Sequence, residues 1–247
     1  MFTKEEKQKL KELIDSNEDF AYFINKTLKE CKLRTSQISH ELRNPLTLIK
    51  STSQLIESTH PEVGNIKYWG QLKEDINEME LLLTEYSNFN HSEVISKQDT
   101  NFLLLLKSVL NNFRPLAEQS GIELSLTIAD KDIPYYTSYS LDPVKIKQVF
   151  NNLIRNAFEA TKKGNFINVE CTVSEPSHLT IGIHNNGEEI PTDLLPTIFH
   201  PFVTHKSGGS GLGLAISSNI ILAHDGTLNV NSSREKTSFI IQLPLAG

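Results

Sequence analysis

The chain has 247 residues with 38% hydrophobic and 22% charged side chains, a balance typical of a globular protein with one large or two smaller domains. Its net charge of −6 argues against a nucleic-acid-binding protein, and no apolar run is long enough to predict a membrane-spanning helix. The two cysteines, Cys31 and Cys171, lie far apart without metal-ligand spacing, so we expect free thiols in a reducing cytosol.

The first thirty residues predict a helical extension. Thr3 and Glu6 have the spacing of a helix capping box, and the polar run at 15–19 interrupts the helical pattern. The first residues are followed by charge rather than by the apolar core of a signal peptide, so we expect a cytoplasmic protein. We interpret residues 1–30 as an extension that lengthens a dimer; the alternative is a ligand-sensing module.

A long helix is predicted next by an apolar stripe with spacings of 4, 3, 4, 3 and 4 residues, typical of a buried seam between packed helices. The stripe consists of Ile24, Leu28, Cys31, Thr35, Ile38 and Leu42. His40 lies about 200° round the helix from Ile38, so we expect it to face solvent or a docking partner. Glu41 is its neighbour, Asn44 shares its face, and Pro45 weakens the helix just beyond. On these residues alone, an ordinary surface histidine remains the alternative to a nucleophile.

A turn at residues 60–64, marked by proline and glycine, separates this helix from a second one predicted for residues 65–90. The stripe of the second helix consists of Leu72, Ile76, Met79, Leu82 or Leu83, and Tyr86. Two antiparallel helices of this length provide only half of a core, whereas two such hairpins from two chains close a four-helix bundle. The sequence therefore predicts a homodimer.

Residues 91–100 are polar and predict a linker, with a domain boundary near 95–100. Beyond it, helical and strand patterns are mixed. The predicted helices are 101–119, 142–161 and 211–224, and the predicted strands are 122–126, 166–173, 179–184, 227–231 and 239–243. Asp142 and Pro143 supply an N-cap and a first-turn proline for the second of these helices. This mixture predicts a two-layer α/β sandwich of about 150 residues.

Asparagines recur on the helix predicted for residues 142–161. Asn152 and Asn156 are four residues apart and share a face of the helix. Amide oxygens can ligate Mg²⁺, which keeps several waters and binds beside phosphates. Asparagine is a mediocre helix former, so its repetition favours a functional role over the alternative, a polar solvent-exposed face.

Gly209, Gly211 and Gly213 form a glycine-rich turn that leads into a helix. Such a turn lets backbone N–H groups approach phosphate oxygens, and the helix dipole favours the negative charge. The turn is not a dinucleotide-binding fingerprint, because no strand directly precedes it and no acidic residue follows at the required distance.

A loop of about twenty residues separates this turn from a strand that ends at Asn185 and Gly187. A loop of this length is unusual without a function, and a lid over a nucleotide would be one. Phe199 and Phe202 are the expected anchors of the lid, and Lys206 is expected near phosphate.

Taken in order, these segments resemble the catalytic core of bacterial sensor histidine kinases over about residues 30–245. The five similar motifs are the phosphoacceptor box at 40–45, the asparagine box at 152–156, the first glycine box at 183–187, the phenylalanine box at 199–202 and the second glycine box at 209–213. The ordered combination is specific, although no single motif is. The Asn-Asn-Gly form of the first glycine box and the Phe-Glu-Ala run after Asn156 are similar to the nitrogen-regulation and sporulation branch.

The resemblance implies a dimeric helical hairpin, a four-helix bundle in the dimer, followed by a two-layer α/β sandwich ATPase domain of the type shared with gyrase and heat-shock chaperones. The expected domains are an N-terminal helical extension at 1–30, a dimerisation and histidine phosphotransfer domain at 31–95, and an ATP-binding catalytic domain at 96–247. Control by a regulatory protein that binds residues 1–30 is a further hypothesis. No nucleic-acid partner is expected.

The resemblance also implies an ATP-dependent protein-histidine kinase of a two-component system. His40 would accept the γ-phosphoryl group and pass it to an aspartate in the receiver domain of a response regulator. Glu41 would accept the imidazole proton, and Asn44 would orient water in a regulator phosphatase reaction. Asn156 would ligate Mg²⁺. The other expected ATP-binding residues are Asn152, Asn185, Gly187, Phe199, Phe202, Lys206, Gly209, Gly211, Leu212 and Gly213.

Two positions depart from the family pattern. The family usually has aspartate at the position of Asn185, where the carboxylate accepts a hydrogen bond from the adenine amino group, and glycine at the position of Glu189. A hydrogen bond to a neutral group is weaker than one to a charged group, so we expect weaker adenine binding. The alternatives are a phosphotransferase or phosphatase that kept His40 but lost ATP turnover, and an ATPase-like scaffold that binds a partner through its helices.

Overall fold

The structure is a computed structural model that describes residues 9, 12–14, 16–174, 178–204 and 209–245. The chain forms two compact units, Met1–Asn90 and His91–Gly247. The finer division into 1–30, 31–95 and 96–247 stays a prediction. Within the described ranges, no helix combines the length and the apolar character needed to cross a membrane.

The first unit is a helical hairpin. Helix α1 (Glu18–Thr59) runs unbroken through Pro45, a short 3-10 helix (Pro61–Asn65) follows, and helix α2 (Trp69–Asn90) returns. The Asn17 side chain caps α1 by accepting a hydrogen bond from the Phe20 N–H at 3.0 Å. The start of α1 therefore falls within the polar run that was predicted to interrupt the helix, because asparagine caps helix ends better than it continues them.

The face of α1 that is buried within the hairpin does not contain the predicted apolar stripe. The buried positions on α1 are Ser39, Leu46 and Ser53, spaced seven apart, and Ile76 is buried on α2. Ile38 and Leu42, which were predicted to lie in a buried seam, are 54% and 51% exposed in the single chain. They lie roughly 60–100° round the helix from Ser39. The 4-3 spacing marks an apolar row correctly, but this row is not the one that faces α2.

Two ion pairs cross the hairpin. Lys50 Nζ lies 2.6 Å from Glu80 Oε2, and Lys73 Nζ lies 2.6 Å from Glu57 Oε1. All four side chains are at least a third exposed, so solvent screens each pair. Each pair contributes at most about 1 kcal/mol, and its main effect is to favour one register of the helices.

The second unit is a two-layer α/β sandwich, which confirms the predicted fold class. Its described residues form helices α3 (Phe102–Ser120), α4 (Ile133–Thr137), α5 (Pro143–Ala160) and α6 (Gly213–Ala223), and strands β1 (Gln98–Thr100), β2 (Glu123–Ile128), β3 (Tyr139–Leu141), β4 (Phe166–Ser174), β5 (His178–Asn185), β6 (Thr227–Ser232) and β7 (Thr237–Pro244). The main sheet has the order β2-β4-β5-β7-β6, with β2 parallel to β4 and the other neighbours antiparallel. Strands β1 and β3 form a separate antiparallel pair.

Helix α5 covers the centre of the sheet and brings the asparagines to it. Its fully buried stripe consists of Ile146, Val149, Phe150, Leu153, Ile154 and Ala157. This stripe packs on β4 and β5, where Leu179, Ile181 and Ile183 are completely buried. Asp142 caps the helix, since its Oδ1 accepts hydrogen bonds from the backbone N–H groups of Val144 and Lys145 at 3.0 Å. The predicted N-cap is therefore correct.

His224 joins the end of α6 to the start of α5. The Asp142 N–H donates to His224 Nε2 at 2.9 Å, and His224 Nδ1 lies 2.7 Å from the Ile220 carbonyl oxygen. An Nε2 that accepts and an Nδ1 that donates define a neutral imidazole. Burial lowers the pKa of this ring below its ordinary value. The neutral ring therefore stabilises the fold fully above the unfolded pKa of about 6.5, and this contribution is lost as pH falls through the lower folded pKa.

We expect the free energy of unfolding of the second unit to fall between pH 7 and pH 5, and to fall less in His224→Gln. Glutamine can still accept the Asp142 N–H but does not titrate, so it should cost about 1 kcal/mol at pH 7. Some acid sensitivity remains in the variant, because burial also lowers the pKa of His184. Urea unfolding followed by near-UV circular dichroism measures the effect, since Tyr136 of the second unit is completely buried whereas Tyr22 and Tyr68 of the first unit are exposed. Identical pH slopes in both proteins would contradict the prediction.

Candidate functional site

The first part of the candidate site is the exposed face of α1. His40, Glu41 and Asn44 are all exposed, as predicted. Their neighbour Ser39 is 1% exposed and donates a hydrogen bond to the Thr35 carbonyl oxygen at 3.0 Å. Because Ser39 is buried in the hairpin, the rotation of α1 is fixed and the imidazole of His40 is left accessible. An accessible imidazole with a carboxylate next to it in sequence can act as a nucleophile with a proton acceptor at hand.

The second part of the site lies in the other unit, where Asn152 joins α5 to α6. Asn152 Nδ2 donates to the Gly213 carbonyl oxygen at 3.1 Å and lies 3.4 Å from Ser217 Oγ, which itself bonds the same carbonyl at 2.9 Å. The amide thus holds the first turn of α6 in place. Asn156 follows one turn later and is half-buried. Ser217 was not predicted, since no sequence spacing connects it to Asn152.

The residues present fit a magnesium ion only with help from a ligand. Within the described residues, no group of three or more His, Cys, Asp or Glu side chains could hold a metal. An ion beside α5 would therefore depend on the amide oxygen of Asn156, on phosphate oxygens and on water, a set that suits Mg²⁺ because it binds hard oxygen donors and keeps part of its hydration shell.

Asn185 is the most unusual side chain of the second unit. It continues the buried row of β5 and is 1% exposed, opposite Ile167 of β4 and Thr237 of β7. Its Nδ2 has no hydrogen-bond partner within the part of the chain that the structure describes. A buried donor without an acceptor costs about 1–3 kcal/mol. The atom therefore fits a ligand that brings an acceptor, and it is the strongest mark of a binding site in this unit.

Gly187 fixes the chain where it leaves β5. A Cβ at this position would collide with the carbonyl oxygen of Ala160. The next backbone N–H, that of Glu188, donates to the same oxygen at 2.8 Å. The end of α5 and the first glycine box are thus in direct contact, and only glycine fits there. A backbone carbonyl leaves no trace in a sequence pattern, so Ala160 was not predicted.

Gly211 is in close contact with the phenylalanine box. It has φ +70°, and a Cβ there would lie 2.7 Å from Phe202 C and Val203 N. The Phe202 N–H donates to the Gly211 carbonyl oxygen at 3.1 Å. The Phe202 side chain is 63% exposed, and its role as an anchor of the lid stays a prediction. Phe199 is half-buried and meets Phe239 edge-on, with ring centroids 6.5 Å apart.

The remaining predicted residues surround the start of α6. Leu212 is 1% exposed and its N–H donates to Ser210 Oγ at 3.1 Å, whereas Gly209 is exposed. Gly213 begins α6, where its backbone N–H groups and dipole favour an anion. Lys206 lies outside the described residues. The structure therefore brings Asn152, Leu212 and Gly213 together.

Two family models match the chain. The His Kinase A (phospho-acceptor) domain matches residues 34–93, and the Histidine kinase-, DNA gyrase B-, and HSP90-like ATPase matches residues 141–247. Every predicted site residue lies within one of the two matched segments.

Several curated proteins are similar to the chain. Sporulation kinase A of Bacillus subtilis is 36% identical over 84% of this chain and 33% of its own length. Sporulation kinase C of the same organism is 31% identical over 98% of this chain and 55% of its own length. Sensory histidine kinase/phosphatase NtrB of Rhizobium leguminosarum bv. phaseoli is 29% identical over 85% of this chain and 57% of its own length. The chain thus spans from a third to just over half of the length of these relatives.

Solved structures share the fold. Full-length ShkA in complex with AMPPNP has a TM-score of 0.74 at 22% identity, covering 86% of this chain and 46% of that one. The nucleotide-free catalytic domain of histidine kinase ThkA has a TM-score of 0.55 at 28% identity, covering 61% of this chain and 96% of that domain.

Proposed function

The chain has the catalytic core of a sensor histidine kinase, and we propose that it is an ATP-dependent protein-histidine kinase of a two-component system. His40 would become phosphorylated and would then pass the phosphoryl group to an aspartate of a response regulator. The observation that carries this proposal is the accessible imidazole of His40 on a phosphoacceptor-type hairpin. The chain also has an ATPase-type unit in which the buried Asn185 Nδ2 has no hydrogen-bond partner among the described residues.

The reaction is an in-line phosphoryl transfer. An unprotonated ring nitrogen of His40 attacks the γ-phosphorus, an N–P bond forms, and the bond to the β-phosphate oxygen breaks as ADP leaves. Glu41, the next residue along α1, would accept the proton from the other ring nitrogen, which would make the imidazole a better nucleophile. Bound Mg²⁺ would neutralise developing charge on the phosphate oxygens. Most of the acceleration comes from positioning and charge neutralisation.

Residues of the second unit would hold the nucleotide. Asn156 is the proposed Mg²⁺ ligand, and Asn152 acts beside it by holding the first turn of α6. The backbone around Gly211 and Gly213 would bind phosphate at the N-terminus of this helix. Asn185 would face the base, at the buried end of β5. Lys206 stays a predicted phosphate contact.

Dimerisation would cover the apolar row left open on the hairpin. The side chains of this row are 37–54% exposed in the single chain: Ile38, Leu42, Ile49 and Ile56 on α1, and Leu72, Met79 and Leu82 on α2. Pairing two hairpins through these residues would give the four-helix bundle expected from the sequence.

We also propose that Asn44 supports a regulator phosphatase reaction, that residues 1–30 bind a regulatory protein, and that the catalytic core works in the cytoplasm, where ATP is available.

Labelling with γ-labelled ATP tests the proposed function. In the presence of Mg²⁺ we expect a covalent label that is lost in acid and stable in alkali, as an N–P bond requires, and EDTA should prevent its formation. If no label forms from ATP but the chain accepts a phosphoryl group from a phosphorylated receiver domain, the protein is instead a phosphotransferase without ATP turnover. The intact glycine contacts at Gly187 and Gly211 oppose that alternative.

A further inference from the structure

The buried end of β5 carries a hydrogen-bond donor for which the described residues provide no acceptor. Asn185 Nδ2 lies 3.0 Å from the point where a Gly187 Cβ would stand, so the amide nitrogen is directed at the first glycine turn. The side chain is 1% exposed and the atom is unpaired among the described residues. Burial shields the atom from bulk water, so its acceptor comes from an ordered water or from a bound ligand, and a ligand at this turn would displace such a water.

The neighbouring polar groups are already paired with each other. Ser232 Oγ accepts a hydrogen bond from the Ile190 N–H at 2.9 Å and lies 2.6 Å from Thr237 Oγ1. Thr237 is the cross-strand neighbour of Asn185 and is 3% exposed. Among the residues that the structure describes, this chain of hydrogen bonds ends at Thr237 without reaching Asn185 Nδ2, which leaves the amide to a ligand.

An amide and a carboxylate select different groups on a purine. A carboxylate only accepts hydrogen bonds, so it suits the 6-amino group of adenine and repels the lone pairs of a 6-oxo group. An amide carries both a donor and an acceptor. Turned one way, it accepts from a 6-amino group; turned by 180°, it donates to a 6-oxo group. The carboxylate that would reject a 6-oxopurine is therefore absent from this chain.

We propose that Asn185 makes the nucleotide site of this protein tolerant of 6-oxopurines, so that inosine and guanosine nucleotides bind with an affinity close to that of adenosine nucleotides. This inference rests on the proposed nucleotide site and adds the substrate class that the site accepts. The donor directed at the first glycine turn is the feature that makes a 6-oxo group acceptable there.

Calorimetric titration with ADP, IDP and GDP in the presence of Mg²⁺ tests the proposal on the full chain, independently of phosphoryl transfer. IDP is the sharpest probe, because it differs from ADP in the group at position 6 and the proton at N1. We expect the Kd of IDP to be within tenfold of the Kd of ADP. In Asn185→Asp we expect ADP to bind several-fold more tightly. We also expect the ratio of the Kd of IDP to the Kd of ADP to rise at least tenfold.

Asn186→Asp is the matched control. It introduces the same charge one residue away and keeps the acceptor for the Phe166 N–H, which Asn186 Oδ1 binds at 2.7 Å. Its ratio of IDP to ADP affinity should equal that of the parent chain. The proposal is overturned if IDP and GDP both bind the parent chain more than tenfold more weakly than ADP, or if Asn185→Asp leaves the ratio unchanged. In both cases ADP binding stands, whereas failure of ADP to bind at millimolar concentration overturns the proposed function itself. The parent-chain ratio decides the question even if Asn185→Asp fails to fold.

Discussion

The His40→Gln protein is expected to carry no covalent label after incubation with Mg²⁺ and γ-labelled ATP. The glutamine amide nitrogen shares its lone pair with the carbonyl group, so it cannot attack phosphorus as an imidazole does. His40 is exposed, and its replacement should change the free energy of unfolding by no more than about 0.5 kcal/mol. Label per chain, together with the helical circular dichroism signal, separates loss of the nucleophile from loss of the fold.

His60→Gln is the control for this experiment. His60 is also exposed, lies in the same hairpin, and has its Nδ1 3.1 Å from Glu62 Oε1, so it too is a histidine beside a carboxylate. It differs from His40 by lying at the end of α1 rather than within it. The His60→Gln chain should keep its full label. Label that persists in His40→Gln and disappears in His60→Gln would make His60 the phosphoacceptor and would contradict the assignment of His40.

Features fixed by local chemistry were predictable from the sequence. Asp142 and Pro143 define the start of α5 because one caps free N–H groups and the other has no N–H to leave unpaired. The glycine-rich turn was also located correctly, but α6 begins at Gly213 rather than at Gly211. The reason is the backbone: Gly211 has φ +70°, which is outside the helical region.

Features fixed by tertiary contacts were not predictable. The apolar row of Ile38 and Leu42 was visible, but not that Ser39 and its heptad partners face α2 instead. Strands β1 and β3 span three residues each, too few to show an alternating pattern. The contact between Gly187 and the Ala160 carbonyl oxygen depends on how two distant segments meet. The departure of Asn185 from aspartate could be seen in the sequence, whereas the sequence could not show that its amide nitrogen is buried and has no partner among the described residues.

Gly211→Ala is expected to damage both the fold and the nucleotide site of the second unit. The left-handed backbone costs a residue with a Cβ about 1–2 kcal/mol, and overlap with the backbone of Phe202 and Val203 adds roughly 1–3 kcal/mol. Relief of the overlap must move the phenylalanine box away from the glycine-rich turn. We therefore expect the free energy of unfolding to fall by about 2–5 kcal/mol and ADP affinity to fall at least tenfold.

Two other glycines separate the causes of this loss. Gly164 has φ +87° with no atom within 4 Å of a Cβ, so Gly164→Ala measures backbone strain alone and should cost about 1 kcal/mol with ADP affinity unchanged. Gly213 has no positive φ, and its Cβ would make an ordinary 3.7 Å contact with Asn152, so Gly213→Ala should leave stability unchanged or raise it by about 0.5 kcal/mol. Urea unfolding read by tyrosine circular dichroism compares the three. If Gly211→Ala loses no more stability than Gly164→Ala and binds ADP normally, the contact between the phenylalanine box and the glycine-rich turn does not support the site.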